Sequence, residues 1–255
     1  MNIINSYRYS EGFSPADISG LSLWLDADDA STVLDNTVSG SPVTDGNLIS
    51  RWDDKSTNAN YCTQGNTLKK LTKQSAQVNG RDVIECDGTN KYMISNSNIS
   101  INQTSNKTIF TCGQPTTAND LTDGSCWSFP QSSQTGSGGH VTFEPAYRCN
   151  SVTWLGSETI SLTSPHIVTV QQSGSGTIFN IVDIWLDGSA VTRSGGIDGN
   201  LVNQNNTYMI GKIGDEANTN FLFEGYICEI IVYDSALSTA DRQAVESYLT
   251  NKWGV

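Results

Sequence analysis

Residues 229–255, EIIVYDSALSTADRQAVESYLTNKWGV, carry two periodicities separated by a turn. Residues 230–233 are an apolar run, opening on the β-branched Ile230, Ile231 and Val232, of the kind a buried strand needs. Ser238 is a good helix N-cap, and Asp241 stands at the third helical position as in a capping box. Val245, Tyr248, Leu249 and Trp253 then fall on one stripe at helical spacing, with Arg242, Gln243, Glu246 and Asn251 on the opposite face. Lys252 suits the negative end of the helix, and Gly254 can cap it. The spacing predicts a last core strand followed by one surface helix that packs a single face onto the sheet.

Upstream, the pattern is of strands. In ISGLSLWLDADD (18–29), Leu21, Leu23 and Leu25 alternate with Ser22, Trp24 and Asp26, as a period of two requires. LISRWDDKSTNANYCTQ (48–64) reads as a short strand, an acidic turn and a return. RDVIECDGTNKYMIS (81–95) has the form of a hairpin about Asp87-Gly88, and IFNIVDIWLDGSAVTRSGG (178–196) of another about Asp187-Gly188. KTIFTCGQP, VTFEPAYRC, SVTWLG, HIVTVQQSG, TYMIGKIG and FEGYICEIIVYDS supply further short strands, while 114–140 reads as loop with a brief strand near Trp127 and Phe129. More than ten short strands without a βαβ rhythm or a repeat predict an all-β, two-sheet antiparallel jelly-roll sandwich with a C-terminal α-helix. Residues 1–17, polar and aperiodic, are expected to be an N-terminal arm, with 18–255 as the domain.

At 255 residues the chain suits one large core, and its 16% charged residues and six tryptophans argue for a packed interior. Fourteen basic against 26 acidic residues give −12, which opposes nucleic acid and anionic lipid as partners. No secretory signal and no apolar run of roughly 18 residues is seen, so no membrane span is expected. The six cysteines show no metal-site spacing and are expected to be mostly buried thiols, with Cys126 and Cys149 the first pair to consider for a bridge.

GLSLWLDADD, RWDDKS, VIECDGTNKYM, DIWLDG and the ending EGYICEIIVYDSALSTADRQAVESYLTNKWG resemble laminin-G-like domains of the concanavalin A-like lectin/glucanase superfamily, over residues 18–255. The resemblance implies a jelly roll with a concave face and loops that in many relatives bind calcium or glycans. The opening FSPADISGLSLWLDA looks like that of structural proteins of tailed bacteriophages. It implies a non-enzymatic virion structural protein or capsid or tail decoration protein, made in the host cytoplasm and assembled with other virion proteins or as a homo-oligomer. The alternative is a carbohydrate-binding adhesion module, and a remote one a polysaccharide lyase or glycoside hydrolase.

The hydrolase pattern Glu-x-Asp-x-x-Glu is absent, and Glu224 and Glu229, five apart, would point to opposite faces of a regular strand. His140 and His166 lack a nucleophile context such as GxSxG, although His140 with a nearby tyrosine would suit a lyase. Asp26, Asp28 and Asp53 are the candidate calcium ligands, because hard cations take oxygens from acidic turns. Turn-forming side-chain hydrogen bonds are the competing reading of the same residues. Trp127, Trp154 and Trp185 are candidate glycan platforms, with Trp24 a fourth; a core role competes for each.

Overall fold

The computed structural model describes residues 12–99, 101–117, 125–129, 140–149, 152–201, 207–213 and 222–255. Its strands are β1 (Leu21–Asp26), β2 (Val33–Leu34), β3 (Arg51–Trp52), β4 (Cys62–Thr63), β5 (Thr72–Val78), β6 (Arg81–Asp87), β7 (Met93–Ser95), β8 (Lys107–Pro115) and β9 (Trp127–Ser128). There follow β10 (His140–Thr142), β11 (Ala146–Cys149), β12 (Val152–Gly156), β13 (His166–Gln172), β14 (Val182–Leu186), β15 (Ser189–Ala190), β16 (Arg193–Ile197), β17 (Met209–Ile210) and β18 (Glu224–Tyr233). A one-turn helix, α1 (Ile178–Ile181), precedes β14, and α2 (Thr239–Trp253) closes the chain. The first sheet runs β15-β14-β13-β8-β18-β6-β5, with β1 also on β18; the second runs β16-β12-β11-β10-β9-β17-β7-β4-β3-β2. Each of these pairings is antiparallel, as the jelly-roll sandwich predicts.

The last strand organises the first sheet. One edge of β18 pairs β8 along its length, while the other pairs β6 through residues 224–227 and β1 through 229–233. Leu23 and Leu25 lie opposite Val232 and Ile230 and are fully buried in the core between the sheets. Leu21 departs from the predicted alternation: a bulge at Ser22 sets it opposite Tyr233, on the face of Trp24 and Asp26.

A second bulge corrects the reading of the two glutamates. Ile227 and Glu229 sit opposite consecutive residues of β8, Gly113 and Cys112, so Cys228 is the extra residue and the alternation changes phase there. Glu224 and Glu229 therefore share the outer face of the first sheet.

The turns divide. Asp187 and Gly188 have φ of 49° and 78° and close the β14–β15 hairpin as expected. Asp87-Gly88 instead carries the chain from β6 in the first sheet to β7 in the second, its Asp87 Oδ1 accepting from the N–H groups of Thr89, Asn90 and Lys91. The hairpin partner of β6 is β5, joined through Asn79-Gly80 with φ of 50° and 71°.

The predicted helix forms with its predicted ends. Ser238 Oγ accepts from Asp241 N–H at 3.2 Å, and Gly254 caps the far end at φ 76°. Val245, Leu249 and Trp253 are fully buried and Tyr248 packs its ring edge on Trp24. Arg242 and Glu246, expected on the solvent face, are buried as well. The helix lies over the outer-face row Trp185–Thr169–Phe110–Ile231–Trp24, which reaches past both sides of a narrow apolar stripe. Residues 13–17 pack onto the domain, Phe13 against Tyr248 and the Pro15 carbonyl accepting from Tyr233 Oη at 2.8 Å. The first eleven residues of the expected arm lie outside the described residues, as do 118–124 and 130–139 of the expected loop. All six cysteines are buried free thiols, so Cys126 and Cys149 are not bridged.

Candidate functional site

Beneath α2, the acidic residues of β1 and β18 are built into a charged cluster. Glu229, with no solvent exposure, accepts from Trp24 Nε1 at 2.6 Å, Tyr248 Oη at 2.9 Å, Trp253 Nε1 at 2.8 Å and Lys252 Nζ at 2.8 Å. Lys252 also reaches Asp26 Oδ1 at 2.6 Å, and Lys55 bonds Asp26 Oδ2 at 2.8 Å and Asp29 at 2.9 Å. Burial first, then the Asp26 charge, pushes the Glu229 carboxyl up, against the pull of the Lys252 ammonium. Burial opposes the charge on Lys55, but Asp26 and Asp29 outweigh it and hold the amine above its ordinary value.

These contacts correct the calcium reading. Asp26 is held by two ammonium groups, Asp28 by Arg81 at 2.6 Å, and Asp53 by Arg51. A hard cation needs six to eight oxygens and would have to displace those basic groups. Among the described residues no three of His, Cys, Asp and Glu gather as a metal site.

The tryptophans separate too. Trp127 is 0% exposed with its ring edge against Phe129, and Trp154 is 5% exposed; both belong to the core between the sheets and offer no open face to a sugar. Trp185 is different. It stands on the outer face of β14, half-buried, with the Arg242 guanidinium 4.1 Å above its ring. Trp24 is stacked under Lys55 and closed over by Tyr248.

Next to Trp185, the β14–β15 turn and the outer stripe of α2 enclose a surface groove of about 370 Å³. Gln243, Glu246, Ser247, Thr250 and Asn251 form one wall at helical spacing, and Asp187-Gly188 the other. Glu246 Oε1 accepts from Thr169 Oγ1 at 3.0 Å, and both Glu246 oxygens accept from Arg242, which is thereby fixed over Trp185. Asp187 Oδ2 pairs with His166 Nδ1 at 2.8 Å, and its Oδ1 accepts from Ile167 N–H at 2.8 Å. Amides, hydroxyls and carboxylates thus line a groove whose walls are rigidly held.

The catalytic candidates of the sequence lie apart from this groove or are otherwise engaged among the described residues. His166 Nε2 accepts from Ser161 N–H at 3.2 Å, so its outer nitrogen faces backbone and, among the described residues, no nucleophile bonds it. Glu224 and Glu229 share a face but stand four ladder positions apart, about 13 Å, beyond the separation a glycosidase pair uses. Glu229 is also sealed beneath α2. The side chain of His140 lies outside the described residues.

No protein-family profile and no curated protein matches the sequence. Solved structures do. The binding domain of Paraclostridial mosquitocidal protein 1 aligns with 94% of this chain at TM-score 0.57 and 16% identity. The ligand binding domain of botulinum neurotoxin serotype D, solved in complex with N-acetylneuraminic acid, aligns with 90% at 0.53 and 12%. Trypanosoma rangeli sialidase aligns with 93% at 0.52 and 10%. The likeness is one of fold. This chain spans 53%, 51% and 34% of those three chains.

Sequence reasoning named Trp185 and the Asp187-Gly188 turn, and it placed Gln243 and Asn251 on the open face of the helix. It missed that turn and helix meet, because nothing in either segment encodes the other's position.

Proposed function

We propose that this chain is a non-catalytic carbohydrate-binding module that holds a glycan in the groove between α2 and the β14–β15 turn. The observation that carries the reading is the groove itself: amide, hydroxyl and carboxylate groups on two fixed walls, beside the one predicted platform tryptophan that retains exposure. A sugar presents hydroxyl edges and apolar ring faces, which such a pairing matches. The fold shared with a binding domain solved with N-acetylneuraminic acid supports the same class of ligand. A glycan array probed with the purified chain, with calcium and with chelator, tests it. Binding in both conditions is expected, and no binding in either removes the reading.

The resemblance of the opening FSPADISGLSLWLDA, residues 13–27, to structural proteins of tailed bacteriophages supports a further step, that the module is carried on a virus particle as a structural or decoration subunit beside other virion proteins. Mass spectrometry of purified particles tests this, and absence of the chain from them contradicts it.

A further inference from the structure

We propose that Arg148 anchors the carboxylate of an acidic sugar on the outer face of the second sheet, a position separate from the α2 groove; the choice of a sugar rests on the carbohydrate-binding reading. Tyr147 and Cys149 on either side of it point into the core, so the strand alternation turns Arg148 outward. Its cross-strand neighbours are His140 on β10 and Thr153 on β12.

The arginine is conspicuous for what it does not bond. Among the described residues, each other lysine and arginine has a carboxylate, an oxygen or an aromatic ring as partner, as with Arg51, Lys73, Arg81 and Arg242 and with Lys70, Lys91, Lys107 and Arg193. Arg148 has none, and its Nε is buried without a hydrogen-bond partner. In a chain with 26 acidic residues, an unpaired guanidinium on a strand marks a position where no internal carboxylate has been placed. A buried donor left unmatched costs free energy, and among the described residues no internal acceptor holds this guanidinium in place. The guanidinium presents its donors as a planar fork, which matches two carboxylate oxygens side by side and not one hydroxyl. Thr153, directly across the ladder, adds a hydroxyl within the same small area of sheet, suited to a ring substituent.

The experiment is a titration of the full chain and of Arg148→Gln with sodium N-acetylneuraminate, sodium glucuronate, galactose and sodium acetate at constant ionic strength. The Arg148 Nε–H resonance is followed in the wild type, and affinity by calorimetry in both. The sugar acids are expected to shift that resonance saturably and to lose at least tenfold in affinity in Arg148→Gln. Arg148→Lys, which keeps the charge without the fork, should recover only part. Equal affinity in wild type and Arg148→Gln, a resonance that does not move, or acetate binding as well as the sugar acids would overturn the assignment. A neutral glycan still held in the α2 groove after such a failure would leave the carbohydrate-binding reading standing, whereas no sugar binding of any kind overturns both.

Discussion

Replacing Lys252 with Met should expose how the fold is held beneath α2. The ammonium lies 2.6 Å from Asp26 and 2.8 Å from Glu229, which are 3% and 0% exposed. Removing one partner of a buried ion pair costs about 3–5 kcal/mol, because the remaining charge is left in a poor solvent. Asp26 keeps Lys55, and Glu229 keeps its bonds from Trp24, Tyr248 and Trp253, so the low end applies, about 3 kcal/mol. For a domain of this size that is a fall in Tm of about 6–12 °C. The loss should also depend on pH. Burial and Asp26 already raise the Glu229 carboxyl, and without Lys252 it rises further. A group whose folded pKa is raised adds stability at low pH that is lost as pH climbs through that value. The deficit of Lys252→Met should therefore shrink between pH 7.5 and pH 5, and Glu229→Gln in the same chain should recover part of it at pH 7.5. Urea unfolding of wild type, Lys252→Met and the double variant at both pH values is the assay. A deficit below about 1 kcal/mol, or one that does not change with pH, would refute the reasoning.

Trp253→Ala should cost about 3–5 kcal/mol, the cost of emptying a large buried ring site, and Trp253→Phe less, about 1–2 kcal/mol for the lost bond to Glu229; urea midpoints distinguish them. Asp82, with burial opposing but the Lys73 contact outweighing it, and Asp29, with Ser31 and Lys55 doing the same, both sit below the usual carboxylate range. Their contribution is present above the unfolded value and lost as pH falls through the folded one, so Tm should drop on acidification below about pH 4, and less steeply in Asp82→Asn. With every cysteine buried and unbridged, a thiol reagent should find none accessible in the native chain and six after denaturation, with or without reductant; fewer than six without reductant would contradict the free-thiol assignment.

The strands and the closing helix were legible because each is set by local pattern: a period of two in β1, a period of 3.6 and a cap in α2. What sequence concealed was mostly phase and partner. The bulges at Ser22 and Cys228 each shift an alternation by one residue, moving Leu21 to the outer face and bringing Glu224 and Glu229 onto the same side. Asn79-Gly80 carried as strong a hairpin signal as Asp87-Gly88, and only pairing between sheets tells them apart. Arg242 and Glu246 look like solvent residues by type, and they are buried because Trp185 and Thr169 meet them from the sheet. The candidate site was legible in part: Trp185 retains exposure beside the groove, Trp127 and Trp154 do not, and Asp26, Asp28 and Asp53 face lysine and arginine partners that lie far away in sequence or carry no metal-site signature of their own.

The central claim is that the α2 groove holds a glycan. Thr250→Arg projects a long side chain into the groove from a partly exposed position on its helical wall, with Tm expected to stay within about 2 °C of wild type, as for a surface substitution. Calorimetric titration of the strongest glycan from the array into wild type and Thr250→Arg tests the claim most directly. A loss of tenfold or more in the variant is predicted, and equal affinity in the two chains would contradict it.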